Sequence, residues 1–195
     1  MRIISGRFRG RKLLVNPGQT TRPITDRAKE FLFEHLRRDM EGQRVLDAFA
    51  GTGSLGLESI SHGASGVVFI EQDRQAFERL QRNVAALGVQ EECLCWRTDA
   101  LRSSFRPRGV DHLLPYTLVF FDPPYRMVEQ LRPESLLFAA LRRVARETVS
   151  AADCRLILRA PERVEPCVPE VWEPERRLEF STMQFLFYRK RSTGS

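Results

Sequence analysis

Short apolar runs separated by stretches of helical periodicity set the framework of this chain. Arg44-Val45-Leu46-Asp47, Gly66-Val67-Val68-Phe69-Ile70 and Cys93-Leu94-Cys95-Trp96 are β-prone, and Tyr116-Thr117-Leu118-Val119-Phe120-Phe121 reads as a fully buried strand. Between them the pattern changes. Thr25 is placed as an N-cap, with Asp26 in the first turn, ahead of Ala28, Phe31, Leu32, His35 and Leu36 at helical spacing. Asp73 is the expected cap of a second amphipathic helix through Phe77, Leu80, Val84 and Leu87, which Gly88 stops. A further helix is expected from about Pro133 to Glu147, a fifth strand over Cys154–Leu158, and a closing hairpin of Arg177–Phe180 with Met183–Arg189. Residues 103–114, 126–132 and 161–174 read as loops. Strands alternating with helices predict an α/β fold with a doubly wound, mostly parallel, seven-stranded sheet and right-handed crossovers. In it the first and fourth strands should be neighbours, at the point where strand order reverses.

The buried fourth strand runs into Asp122-Pro123-Pro124-Tyr125. Neither proline can donate to a ladder, so an acid and an aromatic ring stand on a stiff turn at a strand's carboxyl end. That arrangement suits transfer of a group to a planar exocyclic amine, whose lone pair is delocalised into its ring. A carboxylate (Asp122) and a backbone carbonyl (Pro123) can each accept one N–H, aiming the lone pair and stabilising charge that develops on nitrogen. Tyr125 offers a face for an unstacked base. Read blandly, the same residues are a proline-stopped strand with a solvated loop.

The first strand leads into Ala48-Phe49-Ala50-Gly51-Thr52-Gly53-Ser54-Leu55-Gly56, a glycine-rich turn opening a helix. Gly51-x-Gly53-x-x-Gly56 fits a dinucleotide fingerprint, and Glu71 after the second strand lies where a ribose-binding acid belongs. A nicotinamide oxidoreductase is therefore one reading. Asp47, four residues before the first glycine, opposes it, because a pyrophosphate needs bare N–H groups and no adjacent carboxylate. S-adenosylmethionine carries an ammonium and a sulfonium, and an acid beside it is favourable. Asp99, after the third strand, can reach an adenine amino group or simply cap the turn that follows.

Charge adds a second partner. The protein has 195 residues and a net charge of +6, and residues 1–30 carry eight basic against two acidic side chains, while the remainder holds 23 of each. A cationic patch confined to one segment is the footprint of a polyanion. Residues 1–24 are expected to form a basic strand-loop-strand arm, with Arg7, Arg9 and Arg11 projecting from it, followed by Arg22 and Arg27. Phe8 among them is either a stacking residue or an anchor. Cys93, Cys95, Cys154 and Cys167 match no zinc spacing and the three histidines are scattered, so no metal is expected. No apolar run reaches a membrane span and no secretory signal is expected, which places the protein in the cytoplasm.

These motifs together resemble the bacterial small-subunit (16S) ribosomal RNA guanine-N2 methyltransferases, a class I, Rossmann-like, S-adenosylmethionine-dependent family. The resemblance is carried by Arg2-Ile3-Ile4-Ser5-Gly6 with Arg9-Gly10-Arg11, by Thr21-Arg22-Pro23-Ile24-Thr25-Asp26-Arg27, by Asp47 through Glu58, and by Asp122-Pro123-Pro124-Tyr125. It implies a basic RNA-binding arm over 1–24 and a methyltransferase domain over 25–195. It implies that Phe49, Gly51 and Gly53 line the donor site, with Asp47 near the methionine ammonium, Glu71 on the ribose, and Asp99 with Ala100 at the adenine edge. Asp122 and Pro123 would orient the guanine amine, Tyr125 would stack on the base, and the arginines would hold small-subunit rRNA in an assembled or assembling 30S particle. Arg159, where an acid is common, and Ser181-Thr182, where a glycine is usual, depart from the pattern. The nearest rival is a DNA adenine-N6 or cytosine-N4 methyltransferase, which shares the tetrapeptide but needs a recognition region for which there is no insertion.

Overall fold

The computed structural model describes residues 1–16 and 24–191. Seven strands form one sheet in the order β3-β2-β1-β4-β5-β7-β6. They are β1 (Arg44–Asp47), β2 (Gly66–Ile70), β3 (Cys93–Trp96), β4 (Tyr116–Phe121), β5 (Ser150–Pro161), β6 (Trp172–Phe180) and β7 (Met183–Lys190). The first five pair in parallel, and β7 runs antiparallel between β5 and β6. As expected, β1 and β4 are neighbours, with Val45 opposite Leu118 and Asp47 opposite Phe120.

Successive strand residues face opposite sides of the sheet, so the apolar runs divide between two cores. Val45, Val67, Phe69, Leu118, Phe120 and Phe187 pack on one side, with α1 (Asp26–Leu36), α2 (Ser54–Ser61) and α3 (Arg74–Leu87). Leu46, Val68, Ile70, Val119, Phe121 and Leu158 pack on the other, beneath α4 (Tyr125–Glu129) and α5 (Leu136–Val144). The expected caps are present. Thr25 and Asp73 accept the N–H groups of Ala28 and Ala76 at 3.1 and 2.8 Å, and Gly88 ends α3 in a left-handed conformation.

Elsewhere the boundaries differ from expectation for identifiable reasons. The helix expected from Pro133 begins at Leu136, because Ser135 Oγ accepts the Phe138 N–H and so fixes the start. Residues 126–132 are not all loop. Met127 N–H reaches the Pro124 carbonyl at 2.8 Å and Val128 is buried, which closes the short α4. Strand β5 continues to Pro161 because β7 pairs with it from Arg155 to Pro161. Strand β6 starts at Trp172, and it tolerates Pro174 because it is an edge strand with a register shift there.

The N-terminal stretch pairs its two expected β-prone pieces through one antiparallel bridge, Arg2 with Lys12, around a 3-10 turn at Gly6–Phe8. It lies on the domain: Ile3 and Leu13 are buried in the same core as α1 and α2, and Phe8 packs against that core. Lys29, counted above with the cationic segment, is fully buried. Its Nζ donates to Arg2 O at 2.7 Å and pairs with Glu58 at 2.9 Å. Glu58 also accepts the N–H groups of Ile4 and Ser5. Burial opposes its charge, but the bond with His62, Lys29 and the Ile4 N–H outweigh it and hold its carboxyl below the usual range. Among the described residues no helix is long and apolar enough to cross a membrane.

Candidate active site

A cavity of about 220 Å3 opens at the carboxyl ends of the parallel strands, over the switch point between β1 and β4. Its walls include Asp47, Phe49, Gly51, Glu71, Asp99, Ala100, Asp122 and Pro123, eight of the residues expected at the site. Two motifs some seventy residues apart thus share one crevice, as β1–β4 pairing requires. Arg7, Arg9, Arg11 and Arg27 are exposed, outside the cavity, and Arg22 lies outside the described residues.

The glycine turn works through its backbone. Gly51 (φ +55°) lines the cavity. Gly53 (φ +88°) is the N-cap position of α2 and turns away from the cavity; a Cβ there would stand 2.5 Å from Leu80. A Cβ on Gly56 would come within 2.2 Å of the Phe69 ring, so the third glycine sets how closely α2 approaches β2. With no side chain at Gly53 to cap the helix, Asp47 does so from nine residues back, accepting the Gly56 N–H at 3.0 Å. Glu71 accepts the Gly51 N–H at 2.8 Å and that of Asp73 at 2.7 Å. Asp99 accepts the Leu101 N–H at 2.8 Å, the local capping role open to it from sequence, while also lining the cavity.

These bonds discriminate between ligands. The amides of Gly51 and Gly56, which a pyrophosphate would need, already serve carboxylates. Burial pushes Asp47 up to about 7; the Gly56 N–H opposes that shift, and the charges of Asp122 and Glu71 add to it. Burial also raises Glu71. A cavity whose carboxylates are held reluctantly ionised is completed by a cation, not by a diphosphate. The residues present fit S-adenosylmethionine.

The side of the cavity at the end of β4 is built from side chains. Asp122 follows β4 and is nearly buried; burial raises its carboxyl, opposed by Arg159. Arg159 Nε on β5 donates to Asp122 Oδ1 at 2.6 Å, and the guanidinium lies 5.3 Å from the centre of the Tyr125 ring. Tyr125 stands beside the cavity at the start of α4 and does not line it. In the sequence Arg159 reads only as a departure from the family pattern. Its partner is 37 residues away, a distance at which local pattern carries no signal.

The N-terminal stretch also contributes, which the sequence did not foretell. Met1, Val15, Asn16 and Ile24 line the cavity. Asn83, buried on α3, accepts the Leu14 N–H at 2.8 Å and donates to Leu14 O at 3.1 Å and Thr52 O at 2.9 Å. One amide therefore ties the segment to the glycine turn.

A seven-stranded sheet in this order, with an acid-walled cavity over its switch point, defines a class I, S-adenosylmethionine-dependent methyltransferase. The solved methyltransferase yhhF from Escherichia coli shares the fold, with a TM-score of 0.81, 31% identity and 99% of each chain covered. An RNA methyltransferase from Salinibacter ruber in complex with S-adenosyl-L-homocysteine, at 16% identity, a TM-score of 0.61 and coverage of 89% and 97%, agrees in fold alone. The family model described as Conserved hypothetical protein 95 matches residues 1–189, and the chain belongs to that family. Ribosomal RNA small subunit methyltransferase D of Escherichia coli (strain K12) is 31% identical over 195 residues, covering 100% of this chain and 92% of that protein. The protein of the same name from Haemophilus influenzae is 34% identical over 151 residues, covering 71% and 77%.

Proposed function

We propose that this protein methylates the exocyclic N2 amine of one guanine in 16S ribosomal RNA, in the cytoplasm and on an assembled or assembling 30S particle. The observation that carries the reading is the single cavity shared by the glycine turn and Asp122-Pro123. The similarity to small-subunit rRNA methyltransferases over the whole chain supports the RNA class.

The donor, when bound, supplies an electrophilic methyl group on a sulfonium. Asp47 would hold its ammonium, Glu71 the ribose hydroxyls and Asp99 the adenine edge, with Phe49, Gly51 and Ala100 as the wall. Asp122 and the Pro123 carbonyl would each accept an N–H of the guanine amine. That directs the lone pair away from the ring plane and stabilises the charge that grows on nitrogen during attack. No covalent bond to the protein is needed. The proton then lost from the methylated amine has Asp122 as its nearest acceptor. Tyr125 would lie against the extruded base, and segment 1–24 with Arg27 would hold the RNA backbone.

Mass spectrometry of 16S rRNA nucleosides from cells with and without the protein tests this reading. N2-methylguanosine should fall by one site's worth in the deletion and return with the gene; unchanged nucleosides would sink it. Labelled-donor assays on 30S particles, naked 16S rRNA and duplex DNA, run side by side, resolve the substrate and the DNA alternative.

A further inference from the structure

Among the described residues Arg159 is the one basic side chain in the cavity wall, and it faces the acid on which the proposed chemistry turns. Its side chain is 9% exposed and that of Asp122 13%, so the ion pair is shielded from water and salt. The same guanidinium lies over the Tyr125 ring. The two groups it touches come from opposite ends of the Asp122–Tyr125 turn, whereas Arg159 sits on β5, paired across the sheet with Phe185 of β7. The strand frame, not the loop, therefore sets where acid and ring stand.

We propose that Arg159 is the positioning residue of the acceptor half-site, one side chain on the rigid sheet that fixes the Asp122 carboxylate and the Tyr125 ring relative to each other before a base enters. This rests on the reading of Asp122 as the acceptor of the guanine amine. The neighbouring groups show why such a residue is needed. Asp122 is faced by Asp47 from the end of β1, with Glu71 and Asp99 further along the same wall from β2 and β3. All three are acids, and Arg159 is the basic side chain that offsets them among the described residues of that wall. Without it Asp122 would take up a proton at higher pH, and a protonated acid cannot accept the amine's N–H on that oxygen.

The test is a set of pH profiles of kcat on 30S particles from cells lacking the protein. In R159M the acid limb should move up by about one pH unit or more, a roughly tenfold loss of kcat near pH 6 that shrinks towards pH 9. The affinity for S-adenosylhomocysteine should stay within about threefold. R159K, which keeps the charge but loses the planar fork, should bring the limb most of the way back. Melting curves precede the kinetics, and if R159M does not fold, R159Q replaces it with the same expected displacement. A profile parallel to wild type at every pH, or an R159K limb no nearer wild type than that of R159M, overturns the proposal. D122N separates the two layers. Activity surviving in D122N would defeat the reading of the acid itself, whereas an inactive D122N beside an unshifted R159M would defeat only the role of Arg159.

Discussion

The two halves of the cavity hold their acids by different means. In the half proposed for the donor, Asp47, Glu71 and Asp99 each accept a backbone N–H from a turn within nine residues or, for Glu71, from the adjacent glycine turn as well. In the half proposed for the acceptor, Asp122 is held by a side chain on β5. Backbone donors cannot be mutated away, so the donor half should be sensitive to changes in chain geometry. The acceptor half should be sensitive to single side chains.

The largest expected effect lies on the acceptor side. Asp122→Ala should lower kcat by about 100- to 1000-fold while leaving S-adenosylhomocysteine affinity within a few-fold, measured by calorimetry beside single-turnover methylation. Loss of donor binding in that variant would erase the distinction between the halves. On the donor side the strongest break should come from Gly56→Ala, whose methyl must displace the Phe69 ring. The expected cost is about 1–3 kcal/mol, read as a melting temperature lower by several degrees. An unchanged melt would mean that the α2–β2 spacing is not tight.

Acidity sharpens the comparison further. Asp47 is raised from 3.8 to about 7, chiefly by burial. A raised carboxyl adds stability when protonated, below its unfolded value, and loses that contribution as pH climbs through the folded one. The unliganded protein should therefore melt progressively lower between roughly pH 4 and pH 7 by this group's share and level off above that, and donor affinity should rise towards the same upper limit as the ionised acid meets the ammonium. Asp47→Asn should flatten both trends and weaken donor binding by about tenfold at pH 8. Retained slopes would assign them to Glu71 and Asp122 instead. The smallest effect concerns the N-terminal stretch. Arg7 is already paired with Glu92 at 2.8 Å, and Arg11 donates to the Ala86 carbonyl. Neutralising Arg7, Arg9 and Arg11 together should flatten the salt dependence of RNA binding by about two to three phosphate contacts' worth; an unchanged slope would remove these arginines from the interface.

The same contrast explains what the amino-acid sequence revealed. The glycine turn, the caps at Thr25 and Asp73 and the strand running into Asp122 are local patterns, and the adjacency of β1 and β4 follows from crossover rules, so their meeting in one crevice was legible. Contacts that depend on tertiary packing were not. Lys29 reads as surface charge until Glu58 is brought beneath it, and a proline pair reads as loop although Pro124 opens α4. Nothing near Asn83 marks it as a partner for Leu14, 69 residues earlier.

That asparagine has a dynamic consequence. Leu14 cannot lift off without surrendering two bonds to the same amide that steadies the Thr52 carbonyl, so the N-terminal stretch and the glycine turn should breathe as one unit. Deuterium uptake at the Leu14 amide should then slow when S-adenosylhomocysteine occupies the cavity, even with no RNA present. In Asn83→Leu it should become indifferent to the cofactor product.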